Sequence, residues 1–205
     1  MSPDTRIRWV FKPIVWVLCL APLGWMGWLG YSGGLGANPI EYINRFLGDW
    51  ALRFLLVALA VTPVRGLTGL NQVQRFRRLL GLFAFFYVVL HVTSYVVLDN
   101  FFDWRTIWED IIKRWYITVG MAGLLSLIPL AVTSTQGWIK RLGKNWAKLH
   151  KIVYFAGAAG CLHFFMMRKG FQYEPLIYAG ILAVLLGWRV WQNMAKKRKH
   201  RKVAA

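Results

Sequence analysis

The sequence predicts an all-α, polytopic membrane protein with a bundle of six transmembrane helices. Of its 205 residues, 57% are hydrophobic, which is more than a soluble domain of this size carries. Six apolar stretches approach the roughly 20 residues that a helix needs to cross a bilayer. They cover about 13–31, 47–64, 79–98, 115–134, 151–167 and 174–191. We expect a single transmembrane domain over residues 1–205.

The net charge of +18 is distributed as in a membrane protein. With a cytoplasmic N-terminus, 18 of the 26 basic residues fall in the loops and termini of one side, and seven of the eight acids lie on or near the other side. This is the positive-inside pattern, so both termini are predicted to be cytoplasmic. The tail KKRKHRK is compatible with RNA, but contact with anionic membrane lipid explains it more simply. No nucleic-acid partner is expected.

Local signals support each span in turn. The first follows basic residues without an A-x-A-like cleavage site, so it is predicted to be a retained helix. The second is predicted to end at Thr62 and Pro63, and the third to start after Arg78. The stretch 99–114 mixes aromatic and charged residues and is predicted to lie along the outer interface. The fourth span contains Pro129, and the fifth is rich in small residues.

Two histidines lie deep within predicted spans. His91 in the third span and His163 in the fifth are each about 20 Å from the inner end, so they can share one depth. Ionisable residues at such depth are candidates for function. Histidine is also a common axial ligand of haem iron. We predict that these two residues ligate one haem; a proton relay in a transporter is the alternative, and a haem Soret band would distinguish the two.

His150 stands at the mouth of the fifth span, at the depth of Arg77 on the third. Arg77 and His91 are separated by about four helical turns and share a face. On a straight helix, His150 and His163 would point about 140° apart. Either the fifth helix is irregular near its glycines or His150 points elsewhere. His150 is therefore either part of an inner electron-entry site with Arg77 or an ordinary interfacial histidine.

Two further features each allow two interpretations. Gly157 and Gly160, beside His163, either make room for a flat macrocycle or permit close helix packing. Arg53 either pairs with a haem propionate near the outer end or with Asp49, four residues earlier.

These residues resemble the ferric-reductase-like transmembrane domain of ferric reductases and NADPH oxidases. That domain has two histidines 14 apart on its third helix and two 13 apart on its fifth, and these hold two b-type haems. Arg77 and His91 show the first spacing, and His150 and His163 the second. The resemblance implies an intact outer haem site, while Arg77 stands where an inner histidine is expected and leaves the second haem open.

Nearly the whole chain resembles the haem-binding membrane subunits of bacterial periplasmic methionine sulfoxide reductase systems. The segments WALRFLLVALAVTPVR, RRLLGLFAFFYVVLH and KLHKIVYFAGAAGCLHF carry this resemblance. It implies haem b, an associated FMN, an inner-membrane location, and electrons from the quinone pool or a cytosolic flavin reductase. It also implies a periplasmic molybdopterin-dependent catalytic subunit as partner.

The sequence contains neither G-x-G-x-x-G nor G-x-x-x-x-G-K-[ST]. We therefore expect a redox subunit without catalytic residues of its own, supplied with electrons by another molecule. A stand-alone haem quinol or metal reductase is the other interpretation in the same class.

The topology can be tested with a reporter. Alkaline phosphatase fused after Lys202 should be inactive, because the positive-inside pattern places that end in the cytoplasm and the enzyme matures only in the periplasm. A fusion in the outer loop 32–38 should be active and serves as the control. An active C-terminal fusion would reverse the orientation.

Overall fold

The computed structural model describes residues 3–168 and 172–203, and side chains for residues 5–168 and 172–195. The side chains of the basic tail 196–202 therefore lie outside the described set. Within the described residues all regular secondary structure is helical, which confirms the predicted all-α class. Six helices are long and apolar enough to cross a membrane, as predicted: Ile7–Tyr31 (α1), Pro39–Thr68 (α2), Asn71–Asp99 (α3), Trp115–Val132 (α5), Lys144–Met167 (α7) and Tyr173–Ala195 in α8.

Two shorter helices lie between these spans. Trp104–Lys113 (α4) connects α3 to α5, and Gln136–Leu142 (α6) connects α5 to α7. The last helix, α8, extends over Tyr173–Val203. The chain divides into two compact units, Met1–Ala58 with Asn71–Trp115 and Leu59–Leu70 with Tyr116–Ala205. A single domain over the whole chain stays a prediction.

The second helix does not end at Pro63, as the sequence had predicted, but continues to Thr68. A proline inside a helix removes the N–H that would bond the carbonyl four residues back, here that of Leu59. In the second unit, Arg189 supplies a replacement, with its Nη2 3.4 Å from the Leu59 carbonyl oxygen. Its Nη1 donates to the Tyr154 hydroxyl at 2.5 Å. The helix can therefore continue past Pro63, because Arg189 of α8 donates to the carbonyl that lost its helical hydrogen bond.

The core of the first unit is aromatic. Tyr87 on α3 is fully buried, and its hydroxyl donates to the Cys19 carbonyl of α1 at 2.8 Å. Its ring centroid lies 5.1 Å from that of Phe54 on α2. Phe83, one turn before Tyr87, contacts Trp16 edge-on at 4.8 Å. Aromatic pairs at these distances add stability beyond the area they bury, so α1, α2 and α3 form one packed group.

Gly157 allows close packing in the second unit. A Cβ at this position would lie 3.3 Å from Leu182 Cδ1 of α8 and 3.5 Å from Leu59 Cδ1 of α2. Small residues at such positions let transmembrane helices approach closely. For Gly157, the structure therefore favours close packing over space for a macrocycle.

Helix α4 has three distinct faces, onto which the aromatic and charged residues of its sequence separate. Ile107 and Asp110 are buried, and the Tyr95 hydroxyl donates to the Asp110 carboxylate at 2.8 Å. A second face pairs Glu109 with the basic residues four before and four after it, at 3.4 and 2.8 Å. The third face is apolar and exposed, and carries Trp104, Trp108 and Ile112. Its position at the outer interface stays a prediction.

The N-terminal cap of α4 should depend on pH. Asp103 accepts bonds from the Thr106 hydroxyl at 2.7 Å and from the Arg105 and Thr106 amides at 3.1 Å. The Thr106 hydroxyl is the largest cause that lowers the pKa of Asp103 below its usual value. A lowered pKa means that the stabilisation is present above the unfolded value and lost as pH falls through the folded one.

We therefore expect the Thr106 amide resonance to keep its capped shift to pH values below the usual carboxyl range, and then to change. Asp103→Asn is the matched control, because asparagine also caps helices but does not ionise here. NMR of the protein in nanodiscs measures both. The same titration in both proteins would contradict the assignment of this pH dependence to the ionisation of Asp103.

Candidate functional site

His91 is hydrogen-bonded to the backbone of the neighbouring helix α2 in the first unit. Its Nδ1 lies 2.9 Å from the Asn44 carbonyl oxygen on α2. A Cβ at Gly48, one turn further along α2, would lie 3.2 Å from the ring Nδ1 and Cε1. The absence of a side chain at Gly48 thus lets the imidazole reach a carbonyl on the surface of α2. The Ser94 hydroxyl links the same two helices, since it accepts from the side-chain Nδ2 of Asn44 at 3.1 Å and donates to the His91 carbonyl at 2.8 Å.

His163 has the same arrangement in the second unit. Its Nδ1 lies 2.6 Å from the Tyr116 carbonyl oxygen on α5. A Cβ at Gly120, four residues after Tyr116, would lie 2.8 Å from Nδ1 and 3.1 Å from Cε1. That distance is shorter than real Cβ contacts, so an alanine here would force the ring or the helix to move.

We call this repeated arrangement the histidine tether: an imidazole Nδ1 on a helix carbonyl, with glycine four residues after the carbonyl. Because a carbonyl oxygen only accepts, Nδ1 carries the proton in both tethers, and the lone pair of the neutral ring is on Nε2. Metal-ligating histidines commonly donate their other ring N–H to a backbone carbonyl, which fixes the tautomer and the ring orientation. Both rings therefore have the protonation and support of an iron ligand.

The glycines and carbonyls of the tethers were not predicted from the sequence. A signal was nevertheless present, because a shift of 72 residues converts His91 into His163 and Gly48 into Gly120. The same shift takes Asn44 to Tyr116, and only the side chain differs there. A search for an offset shared by histidine and glycine would have found it, whereas a search for general sequence repetition does not.

His150 has a different environment. Its ring stacks on Trp146 at 3.9 Å, and its Nε2 lies 3.1 Å from the Thr133 hydroxyl oxygen. That hydroxyl has one proton, which it donates to the Pro129 carbonyl at 2.6 Å. The His150 Nε2 is therefore the donor to Thr133, and the tautomer is the reverse of that in the tethers.

The irregularity in the fifth span occurs at His150 itself, and not near the glycines. Helix α7 consists of Lys144–Leu149 and Ile152–Met167, with a turn at residues 150–151 between them. The second segment continues without a break through Gly157 and Gly160. The angle predicted for a straight helix between His150 and His163 consequently does not apply.

The two arginines singled out from the sequence both belong to the first unit. Arg77 is half-buried and begins the α-helical segment Arg77–Ser94 of α3. Arg53 is half-buried on α2, and its guanidinium carbon lies 4.9 Å from the centroid of the Trp50 ring. A cation–π contact thus holds Arg53 on one side. Its pairing with a propionate or with Asp49 stays a prediction.

These features define a polytopic, helical membrane protein in which two half-buried histidines are supported in the same way. The family described as "Ferric reductase like transmembrane component" matches residues 47–161. Curated relatives match most of the chain, and the chain matches no solved structure.

Three relatives illustrate this similarity, and each has the name "Protein-methionine-sulfoxide reductase heme-binding subunit MsrQ". The Rhodospirillum rubrum protein is 55% identical over 91% of this chain and 90% of its own length. The Xanthomonas euvesicatoria protein is 52% identical over 91% and 88%, and the Caulobacter vibrioides protein is 49% identical over 88% and 86%. The chain belongs to the ferric-reductase-like transmembrane family and, with these relatives, to the MsrQ proteins.

The tethers predict a specific effect of alanine at their glycines. Gly120→Ala should break the Nδ1 bond of His163, because the new Cβ would meet the ring at 2.8 Å. Gly48→Ala should weaken the His91 bond less, since the corresponding distance is 3.2 Å. The ¹⁵N resonances of labelled histidine report the bond directly.

Gly81→Ala is the matched control, because a Cβ there has no neighbour within 4 Å. It should leave the histidine resonances unchanged and slightly favour the helix, by up to about 1 kcal/mol. Unchanged His163 resonances in Gly120→Ala would contradict the tether.

Proposed function

We propose that the chain is a haem b electron-transfer subunit that passes electrons across the bacterial inner membrane to a periplasmic methionine sulfoxide reductase. The observation that supports this most strongly is the pair of histidine tethers, because both rings present Nε2 as the lone-pair nitrogen. The names of the relatives, heme-binding subunits of a protein-methionine-sulfoxide reductase, agree with the donor set.

In this proposal, His91 and His163 would together hold the iron of one haem, each through its Nε2. Haem, when bound, supplies reversible one-electron chemistry. The chain's own contribution is to fix both imidazoles before ligation. The Asn44 and Tyr116 carbonyls hold the Nδ1 protons, and Gly48 and Gly120 allow the rings to approach. Hydrogen bonds of this kind also increase the basicity of the ligating nitrogen.

The same bonds argue against the transporter alternative. A proton relay requires a histidine to accept a proton at one nitrogen and release it at the other. A backbone carbonyl oxygen cannot take up the Nδ1 proton, so in each tether the imidazole cannot release a proton from Nδ1. Electron transfer needs no such movement, and a fixed tautomer favours it.

The inner part of the proposal rests on the sequence. Arg77 and His150 are proposed to form an electron-entry site near the cytoplasmic face, and Arg53 to bind a propionate near the outer end. Ligation of a second haem through the His150 Nε2 would require that ring to release Thr133, since its Nε2 now serves as donor. One haem is therefore the better-supported number.

The partners of the proposal come from the family. Electrons arrive from quinol or from a cytosolic flavin reductase, with an associated FMN. They leave to a periplasmic, molybdopterin-dependent, MsrP-like catalytic subunit. The described residues of the chain are mostly helical and mostly belong to the six spans, and the relatives are named as subunits. Both facts fit a protein that carries electrons for a separate catalyst.

Stopped-flow spectroscopy tests the proposal. We expect the reduced haem band of the chain in nanodiscs to disappear slowly with free methionine sulfoxide, and at least tenfold faster once the MsrP-like partner is added. His91→Ala and His163→Ala should lose the bis-histidine spectrum, because each removes one of the two imidazoles that would hold the iron, whereas His150→Ala should keep most of it. Equal oxidation rates with and without the partner would indicate a stand-alone reductase.

A further inference from the structure

A basic cleft lies between α1 and α3 in the first unit. It has a volume of about 220 Å³ and is lined by Lys12, Trp16, Arg75, Arg78, Leu79 and Leu82. Half of these residues are cationic and the other half are apolar, and none is acidic. The three cations are exposed. We call this the Lys12 cleft.

The cations and the apolar residues occupy two levels. Each cation precedes an apolar lining residue by four positions, as Lys12 precedes Trp16 on α1 and Arg78 precedes Leu82 on α3. Arg75 and Leu79 repeat this relation. Four residues correspond to a rise of about 6 Å along a helix. In each of these three pairs the cation therefore lies about one turn nearer the start of its helix than its apolar partner. We call the three cations the outer level of the cleft and the three apolar residues its deeper level.

This arrangement matches the two parts of a phospholipid. A phosphate at the outer level would meet three cations, and basic side chains at a membrane surface attract anionic lipid by about 1 kcal/mol each. An acyl chain at the deeper level would lie on Trp16, Leu79 and Leu82. Inorganic phosphate would use only the charged level and leave the apolar one unmatched, whereas FMN also has a flat ring for the apolar level and is therefore included as a competitor in the test below.

We propose that the Lys12 cleft is a binding site for one anionic phospholipid of the leaflet on the basic side of the protein. The bound lipid would connect α1 to α3, the helix that carries His91. The proposal depends on the proposed topology only for the name of that leaflet, which is cytoplasmic if both termini are. It is independent of the bound cofactor.

Native mass spectrometry of the full chain, released from detergent, tests the site. Phosphatidylglycerol and phosphatidylcholine with identical acyl chains are the two lipid probes. The cleft variant is Lys12→Gln, Arg75→Gln, Arg78→Gln. The control variant is Lys140→Gln, Lys144→Gln, Lys148→Gln, which removes the same charge from the same side of the sequence but outside the cleft.

We expect one phosphatidylglycerol to remain on the wild type and on the control variant, with at least tenfold preference over phosphatidylcholine. Each single substitution in the cleft should weaken binding roughly fivefold. Single variants keep the test valid if the triple variant does not fold. Leu82→Ala should also lower retention while leaving the charge unchanged.

Three results would overturn the proposal. Equal loss of lipid in the cleft and control variants would mean that only the general positive charge attracts lipid. Equal retention of the two lipids would mean that the phosphate charge is not recognised. Displacement of phosphatidylglycerol by millimolar inorganic phosphate or FMN would identify the cleft as a site for soluble phosphate compounds.

Discussion

The candidate site depends on one interaction, the bond between an imidazole N–H and a helix carbonyl. In a bilayer an unsatisfied polar group costs several kcal/mol, so a buried histidine must find a partner for the N–H that it does not use. A helix carbonyl already accepts from the amide four residues later, and its second lone pair is reachable only from the side. Gly48 and Gly120 open that side, and this determines how closely α3 approaches α2 and how closely α7 approaches α5.

The same need for hydrogen bonds explains other polar residues within the spans. Pro63 leaves the Leu59 carbonyl without its amide, and Arg189 donates to it. Prolines persist in transmembrane helices because side chains can satisfy the backbone groups they release. The Thr133 hydroxyl satisfies its own needs: it donates to the Pro129 carbonyl, which also accepts from the Thr133 amide, and it accepts from His150. Arg189 thus has a structural explanation, as does the observed orientation of His150.

The sequence predicted the six spans because long apolar stretches without charge have few other stable conformations. It failed at Pro63, since local rules cannot include an arginine about 125 residues later in the chain. It singled out His91 and His163 from their depth, from the role of histidine as an iron ligand and from the family spacing, and their ligand role stays a prediction. It could not identify the tethers, because the relevant glycines lie on facing helices and have no local signature. The orientation of His150 depends on Thr133 and Pro129 on α5 and the turn after it. It therefore could not be predicted from the sequence of α7 alone.

The partners of both imidazoles are main-chain atoms, and this affects how the protein can diverge. A side-chain acceptor can be lost by one substitution, but every amino acid at positions 44 and 116 supplies a carbonyl. This explains how Asn44 and Tyr116, which have no chemical similarity, perform the same task. Selection on the ring orientation therefore falls on Gly48 and Gly120. The side chains at positions 44 and 116 can be substituted without loss of the bond to the imidazole. They can also take a second role, as the Asn44 side chain does by donating to Ser94.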